Sequence, residues 1–380
     1  MGSSAQIPTP RHARGGNGPR VDRVAFVTGP LGDDSTGHTI LRLARELRRR
    51  GKDVELLCGG GALVGELEGI GISPVLSRQL AAGGTPLWVS RKLSARLRGM
   101  EPDLIHIFGR SLAGWGPKLA RCTGRPYVLT VMSPAPSSRQ GAVAGDWERG
   151  AVVAVSEEIR EELVNQAHIP KTAIGVIPVG IALEDYERYC DCGAREHTPV
   201  VGAVGPLVPE RGCDTFLRAA RQILDAGHDV VFLVAGQGPE RERLRELIRK
   251  LNIERWVTMV HHFTDYRRMI AVLDICVLPA IQEGVSLNVL EAMACRKPVV
   301  ATGVGAVYDA VVDGETGFLA AKQDPVAIAE KVSRLLKEPE LAARIVEAAY
   351  QRVREHFSLP VSVGRLLGFY ARTLARTESA

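Results

Sequence analysis

A chain of 380 residues is too long for one ordinary hydrophobic core and points to two domains of common size. Hydrophobic residues make up 45% and charged residues 24%, the balance of a folded globular protein, with a net charge of +5. No apolar run approaches the roughly 18 residues that span a bilayer, and the seven cysteines lack paired spacing; this argues against a transmembrane protein and a disulfide scaffold and favours a reducing cytoplasm.

The first 20 residues, MGSSAQIPTPRHARGGNGPR, contain no apolar signal-peptide core and read as a disordered tail. The chain opens on Met-Gly, but Gln6 stands where a myristoylation signal needs Ser or Thr. Basic charge gathers early: residues 1–125 hold 19 Lys and Arg against 10 Asp and Glu. Arg42, Arg45, Arg48, Arg49 and Arg50 lie on one predicted helix. Arg91, Lys92, Arg96 and Arg98 lie on a second, amphipathic one that starts near Leu87 and Trp88. Such stripes are ordinarily solvated helix faces; their functional alternative is contact with an anionic membrane or an acidic acceptor. No nucleic-acid-binding signature accompanies them, so no nucleic-acid partner is expected.

Arg23–Thr28 reads as a buried strand, followed by a loop through Gly29, Gly32 and Gly37. A helix over His38–Arg50, ended by Gly51, leads to a second strand over Asp53–Cys58. This opening, with glycines at the turn, begins a doubly wound sheet. The loop is not a true G-x-G-x-x-G, so no dinucleotide cofactor is indicated. Apolar runs at Asp103–Phe108, Pro126–Val131 and Ala151–Val155 predict parallel strands covered on both faces, with a helix over Ser111–Cys122. Ser156 reads as the N-cap of the next helix, with glutamates in its first turn.

The stretch Ile177–Pro199 is polar and punctuated by Gly and Pro. It carries the interdomain linker, assigned to 181–198, between a first domain of 21–180 and a second of 199–357. Cys190, Cys192 and His197 within it are zinc-ligating residue types, but no second ligand pair accompanies them and no metal site is assigned. The second half repeats the alternation: a strand over Pro199–Val204, a loop over Gly205–Gly212 and a helix over Cys213–Ala226. Another strand follows, then a Gly236-Gln237-Gly238-Pro239 turn and a helix with Pro at its start. Trp256–Val260, Ile275–Pro279 and Pro298–Thr302 complete the sheet, and helices over Pro325–Lys337, Glu340–Phe357 and Pro360–Ala375 end the chain. His261-His262, at a strand end, reads as core or pocket lining rather than a metal site.

One stretch organises the rest. Pro279–Thr302 holds Glu283 and Glu291 with seven residues between them. Gly284 puts Glu283 at the end of a loop, whereas Leu287, Leu290 and Ala294 form the apolar stripe of a short helix that contains Glu291. Lys297-Pro298 stops that helix before a buried strand. A carboxylate beside open N–H groups at a helix start suits a ligand with hydroxyls at one end and phosphate at the other.

The segment EGVSLNVLEAMACRKPVVAT, continued by VDGETGFL over Val312–Leu319, resembles the E-x7-E region of retaining GT-B glycosyltransferases, the large family that includes sucrose and mannosyl transferases. The resemblance runs from about Arg23 to Ala375 and is strongest over Pro199–Leu319. It implies an α/β protein of two Rossmann-like domains facing each other across a cleft, with the last helix (358–380) crossing back onto the first domain. It further implies transfer of a sugar, with retention of configuration, from a nucleotide sugar to a carbohydrate or lipid-linked acceptor, without metal or other cofactor. By position, Glu283 would be the catalytic residue beside the donor sugar and Glu291 would hold the ribose hydroxyls. The N–H groups around Gly284, Val285, Ser286 and Leu287 would cradle sugar and phosphate. Arg211 replaces the family's diphosphate-binding Lys, keeping the charge with a different geometry. Gly205 and Gly236 match loops close to the nucleotide, and Gly37 lies at the first-domain loop that faces the diphosphate or acceptor.

Several positions depart from that pattern. Pro206 stands where a second basic residue is usual and offers neither charge nor N–H. Met132 replaces a histidine that faces the donor sugar, Val179 an asparagine, and Tyr308-Asp309 a Pro-Glu pair. Arg296 occupies a helix end usually held by Gly, at a cost of about 1 kcal/mol where the residue is left-handed. These departures keep two readings open: a divergent transferase with an unusual donor or acceptor, and a non-catalytic GT-B protein acting as a binding or scaffold subunit; a sugar-nucleotide epimerase on the same fold is a third. The expected location is cytoplasmic, with the basic first domain at the inner face of a membrane.

Overall fold

The computed structural model describes residues 20–32, 34–82, 89–135, 143, 145–190, 197–261, 265–282 and 287–378. In the first half the order is β1 (Arg23–Val27), α1 (Ser35–Arg49), β2 (Asp53–Cys58), α2 (Val64–Gly69), β3 (Val75–Leu76), α3 (Arg78–Ala81) and α4 (Arg91–Gly99). Then come β4 (Leu104–Phe108), α5 (Trp115–Thr123), β5 (Tyr127–Val131), β6 (Gly150–Ala154), α6 (Glu157–Asn165) and β7 (Ile174–Val176). The second half runs β8 (Val200–Val204), α7 (Cys213–Asp225), β9 (Val231–Ala235), α8 (Arg241–Lys250), β10 (Val257–Val260), α9 (Tyr266–Ala271) and β11 (Ile275–Leu278). It ends with α10 (Leu287–Ala294), β12 (Val299–Thr302), α11 (Val307–Ala310), β13 (Phe318–Ala320), α12 (Pro325–Lys337), α13 (Pro339–Arg352) and α14 (Leu359–Glu378).

These strands make two sheets, ordered β3-β2-β1-β4-β5-β6-β7 and β10-β9-β8-β11-β12-β13, and their pairings are parallel. Parallel strands need helical crossovers on both faces, which explains why LIHIF, YVLTV and GAVVA are buried at every position. Strand order reverses between β1 and β4 in the first sheet and between β8 and β11 in the second. Loops leaving such neighbours diverge, opening a crevice at the carboxyl ends of the strands.

The helix expected over Ser111–Cys122 is interrupted: a 3₁₀ turn over Arg110–Leu112 precedes α5. The one expected over Glu340–Phe357 is α13 followed by a π-turn, Val353–Phe357, before Ser358 becomes extended. Ile181 N–H donates to the Phe357 carbonyl (2.9 Å) and Leu359 N–H to the Ile181 carbonyl (2.7 Å), so the linker and the start of α14 are stitched together. Arg45, Arg48 and Arg49 of α1 are exposed, as expected of a solvated face, but part of the stripe is engaged. Arg49 and Arg50 both grip Glu46, which is buried, and Arg48 donates to the Gly71 carbonyl. In α4, by contrast, Arg91, Lys92, Arg96 and Arg98 are exposed, without a salt bridge among the described residues; Leu87 and Trp88 lie outside those residues.

Helix α14 closes the first domain over the sheet face that carries His106. The His106 ring is fully buried, with Nδ1 2.5 Å from Tyr370 Oη on α14 and Nε2 2.6 Å from Thr130 Oγ1 on β5. Burial pushes His106 down to about 3, so the ring is neutral and uses one nitrogen as donor and the other as acceptor. Tyr370→Phe should therefore leave a buried ring nitrogen unpaired without changing shape, costing about 1–3 kcal/mol in urea unfolding. A loss below about 0.5 kcal/mol would show that the pair does not hold α14.

Candidate active site

The second crevice is built from backbone. Gly205, just after β8, donates its N–H to the Ala235 carbonyl (2.9 Å), and Gly236, just after β9, donates to Val260 (2.9 Å). A Cβ on Gly236 would stand 1.9 Å from the Gly205 carbonyl oxygen, so the two loops touch only because residue 236 has no side chain. Arg211 closes the short turn Pro209–Arg211, and Gly212, at φ +63°, swings the chain into α7 against the Pro279 carbonyl. Ile281 N–H donates to the Glu210 carbonyl (2.8 Å), and Thr302 Oγ1 donates to Ala280 (2.5 Å). The Arg211 turn is thereby fastened to the segment that leads from β11 toward residue 283. A cavity of about 20 Å³ opens here, lined by Gly205, Pro206, Arg211, Pro279, Ala280 and Asn288. Glu283, Gly284, Val285 and Ser286 lie outside the described residues; Leu287 is the first residue of α10.

Seven of the eight residues of α10 are buried, Glu291 among them at 8% exposure. An apolar helix packed on all sides leaves its carboxylate little water, and the protein supplies partners from two other parts of the chain. Glu291 Oε1 accepts from Tyr186 Oη (2.7 Å) in the linker and from Arg42 Nη2 (3.4 Å) on α1. Arg296 ends the helix at φ +54°, the left-handed conformation that glycine takes at little cost. Its guanidinium stacks on Tyr350, 4.0 Å from the ring centroid, and pairs with Glu347, contacts a glycine would lack.

On the first-domain side Gly37 sits in the first turn of α1, not in the preceding loop, because Asp34 caps the helix by accepting from Gly37 N–H (2.8 Å). Met132 and Val179 are buried in the apolar cluster shared by the two domains, and Val179 faces Leu290 and Asp309 across a cavity of about 20 Å³. Asp309 reaches over the boundary: its Oδ2 accepts from Glu157 N–H (3.2 Å) at the start of α6, where Ser156 Oγ also accepts from Ile159 N–H (3.3 Å). Burial pushes the Asp309 carboxyl above its ordinary range.

The other candidates part company. Cys190 Sγ donates to the Ala294 (3.1 Å) and Tyr186 (3.4 Å) carbonyls, whereas His197 Nε2 lies 2.9 Å from Asp274. Cys192 and His262 are outside the described residues. His261 Nε2 lies 3.3 Å from Arg241 Nη2. Arg42 and Tyr186 were not singled out from the sequence as site residues. The available signals were the place of Arg42 one turn beyond His38, and an aromatic residue inside a polar linker.

Two family profiles match: "Glycosyltransferase Family 4" over residues 36–185 and "Glycosyl transferases group 1" over residues 191–352. The chain belongs to these glycosyltransferases. It is 28% identical to the α-D-kanosaminyltransferase of Streptomyces kanamyceticus, over 76% of this chain and 82% of that protein. It is also 28% identical to the 2-deoxystreptamine N-acetyl-D-glucosaminyltransferase of Streptomyces fradiae, over 87% of this chain and 91% of that protein. The fold is that of Anabaena HepE in complex with UDP, at a TM-score of 0.77 and 19% identity, covering 93% of this chain and 99% of that one. This glycosyltransferase therefore has the GT-B arrangement of two Rossmann-like domains.

Asp309 gives the interface a pH dependence. A carboxyl whose folded pKa is raised binds its proton more tightly in the fold, so its ionisation opposes folding as pH rises above the ordinary value of 3.8. Asp309→Asn keeps an oxygen for Glu157 N–H and should raise the melting temperature at pH 7. The gain should vanish as pH falls toward 3.8, where aspartate is itself protonated. A variant less stable than the parent at pH 7 would contradict this.

Proposed function

We propose that this glycosyltransferase moves a sugar from a nucleotide-diphosphate sugar to a carbohydrate or lipid-linked acceptor, with retention of anomeric configuration and without a metal ion. The observation that carries the reading is the meeting of the Gly205 and Gly236 loops with Arg211 at the carboxyl edge of the second sheet, beside Asn288 of the helix that also holds Glu291. The UDP bound to HepE and the sugar-transferring Streptomyces relatives support a nucleoside diphosphate as the leaving group.

In this reading the bond from the anomeric carbon to the diphosphate oxygen breaks, the acceptor hydroxyl oxygen bonds to the same face of the sugar, and its proton passes to the departing diphosphate. Arg211 and the N–H groups at the start of α10 carry the charge left on the diphosphate. Glu291 holds the ribose hydroxyls, and Glu283 stands at the sugar. Pro206 takes one charge-assisted contact away from the phosphate, worth about 1.5–3 kcal/mol, which weakens donor binding some ten- to a hundredfold without abolishing it. Arg211, already in the cavity, retains the main charge.

Glu291→Ala should lower nucleoside-diphosphate affinity at least tenfold in calorimetry, as roughly expected for losing a hydrogen bond to a charged group. Glu283→Gln should lose donor turnover while keeping the parent melting temperature. Unchanged affinity in the first variant, or full activity in the second, would refute the role assigned.

The same reading extends to place. The exposed cations of α4 have no salt bridge among the described residues and suit an anionic membrane surface, where each is worth about 1 kcal/mol. The chain should pellet with phosphatidylglycerol vesicles, and replacing Arg91, Lys92, Arg96 and Arg98 with Gln should release it. Pelleting that ignores phosphatidylglycerol content would count against the membrane.

A further inference from the structure

We propose that Tyr186 and Arg42 are positioning residues for Glu291, so that nucleotide recognition in the second domain is completed by the linker and the first domain. This rests on the reading of Glu291 as the ribose-binding carboxylate.

Three chain segments meet at one oxygen. Tyr186 Oη lies 2.7 Å from Glu291 Oε1, and Arg42 Nη2 lies 3.4 Å from both that oxygen and Tyr186 Oη. Tyr186 is 1% exposed and belongs to the same apolar cluster as Val289, Leu290 and Met293 of α10. A phenol fixed in a packed interior cannot swing aside when a ligand enters, so it acts as a support and not as a removable plug. Burial, and after it the charge of Glu291, push the phenol pKa upward, so the hydroxyl remains a donor.

Both contacts use Oε1, which leaves Oε2 without a hydrogen bond from the described residues and able to take one from a ligand. Arg42 adds the charge that a carboxylate at 8% exposure needs, but its own Nη1 is buried without a partner. The cluster is thus one acceptor short among the described residues. Because Arg42 stands on α1 and Glu291 on α10, the carboxylate is fully supported only while the two domains are closed on each other.

The test is calorimetry on the full chain with UDP and 2′-deoxy-UDP, or the guanine or adenine pair if UDP does not bind. The parent should prefer the ribose form at least tenfold. Tyr186→Phe and Arg42→Met should each weaken the ribose form about tenfold, as lost support of a charged hydrogen-bonding group implies, while changing the deoxy form less than threefold. Arg42→Lys should recover part of the loss. In turnover, donor KM should rise with kcat nearly unchanged, the mark of an interaction made equally in ground and transition states. Melting temperatures identify any variant that fails to fold; should Tyr186→Phe do so, Arg42→Met, at a partly buried position on α1, decides the test alone.

Parent-like ribose preference in folded Tyr186→Phe and Arg42→Met would overturn the proposal. So would tighter binding, which would make the pair a latch that competes with the nucleotide. If the parent binds no nucleoside diphosphate, or if Glu291→Ala keeps the ribose preference, the reading of the donor site itself has failed, and the proposal with it.

Discussion

A carboxylate in the middle of an apolar helix is the constraint on which this structure turns. Burying an ionised group without partners costs several kcal/mol, and the hydrogen bonds to Glu291 come from outside α10. The partners come from Tyr186, some hundred residues earlier in the linker, and from Arg42, in the first helix of the chain. The cost of placing Glu291 there is therefore met by bringing first domain, linker and second domain together. Fold and site are coupled at that point.

Everything around it follows from the geometry of doubly wound sheets. Strand order reverses at β8 and β11, which opens the crevice where Gly205, Arg211 and the approach to residue 283 converge. The first sheet offers its own carboxyl edge from the opposite side, with α14 crossing back to bury the His106–Tyr370 pair beneath it. Asp309 of α11, accepting from the start of α6, supplies a second polar contact across the boundary, independent of the first. Between the two lies apolar surface that includes Met132, Val179 and Leu290. The residues that depart from the family pattern here serve the packing of one domain on the other.

Much of this was legible in the amino-acid order, for definite reasons. Strands covered on both faces must be uninterrupted apolar runs, so β4, β5, β6, β8 and β12 could be read directly, and so could the alternation into two parallel sheets. β3, β7 and β13 could not, since strands of two or three residues carry too few positions to show a pattern. The burial of Glu291 was implied by its neighbours, but the identity of its partners was not. Arg42 and Arg50 look alike in sequence, yet one reaches the cleft and the other neutralises Glu46, and only the rotation of α1 against the sheet decides which. Asp309 capping a helix of the other domain was invisible for the same reason: it depends on how two folded bodies meet.

The central claim is that Glu291 and Arg211 mark the two ends of a bound nucleotide. A crystal structure of the chain with a nucleoside diphosphate tests it most directly. The account predicts ribose oxygens within hydrogen-bond reach of Glu291, with Tyr186 still on Oε1, and the diphosphate against Arg211 and the start of α10. A nucleotide lodged at the β1–β4 crevice of the first sheet, or one that leaves Glu291 with protein partners alone, would contradict it.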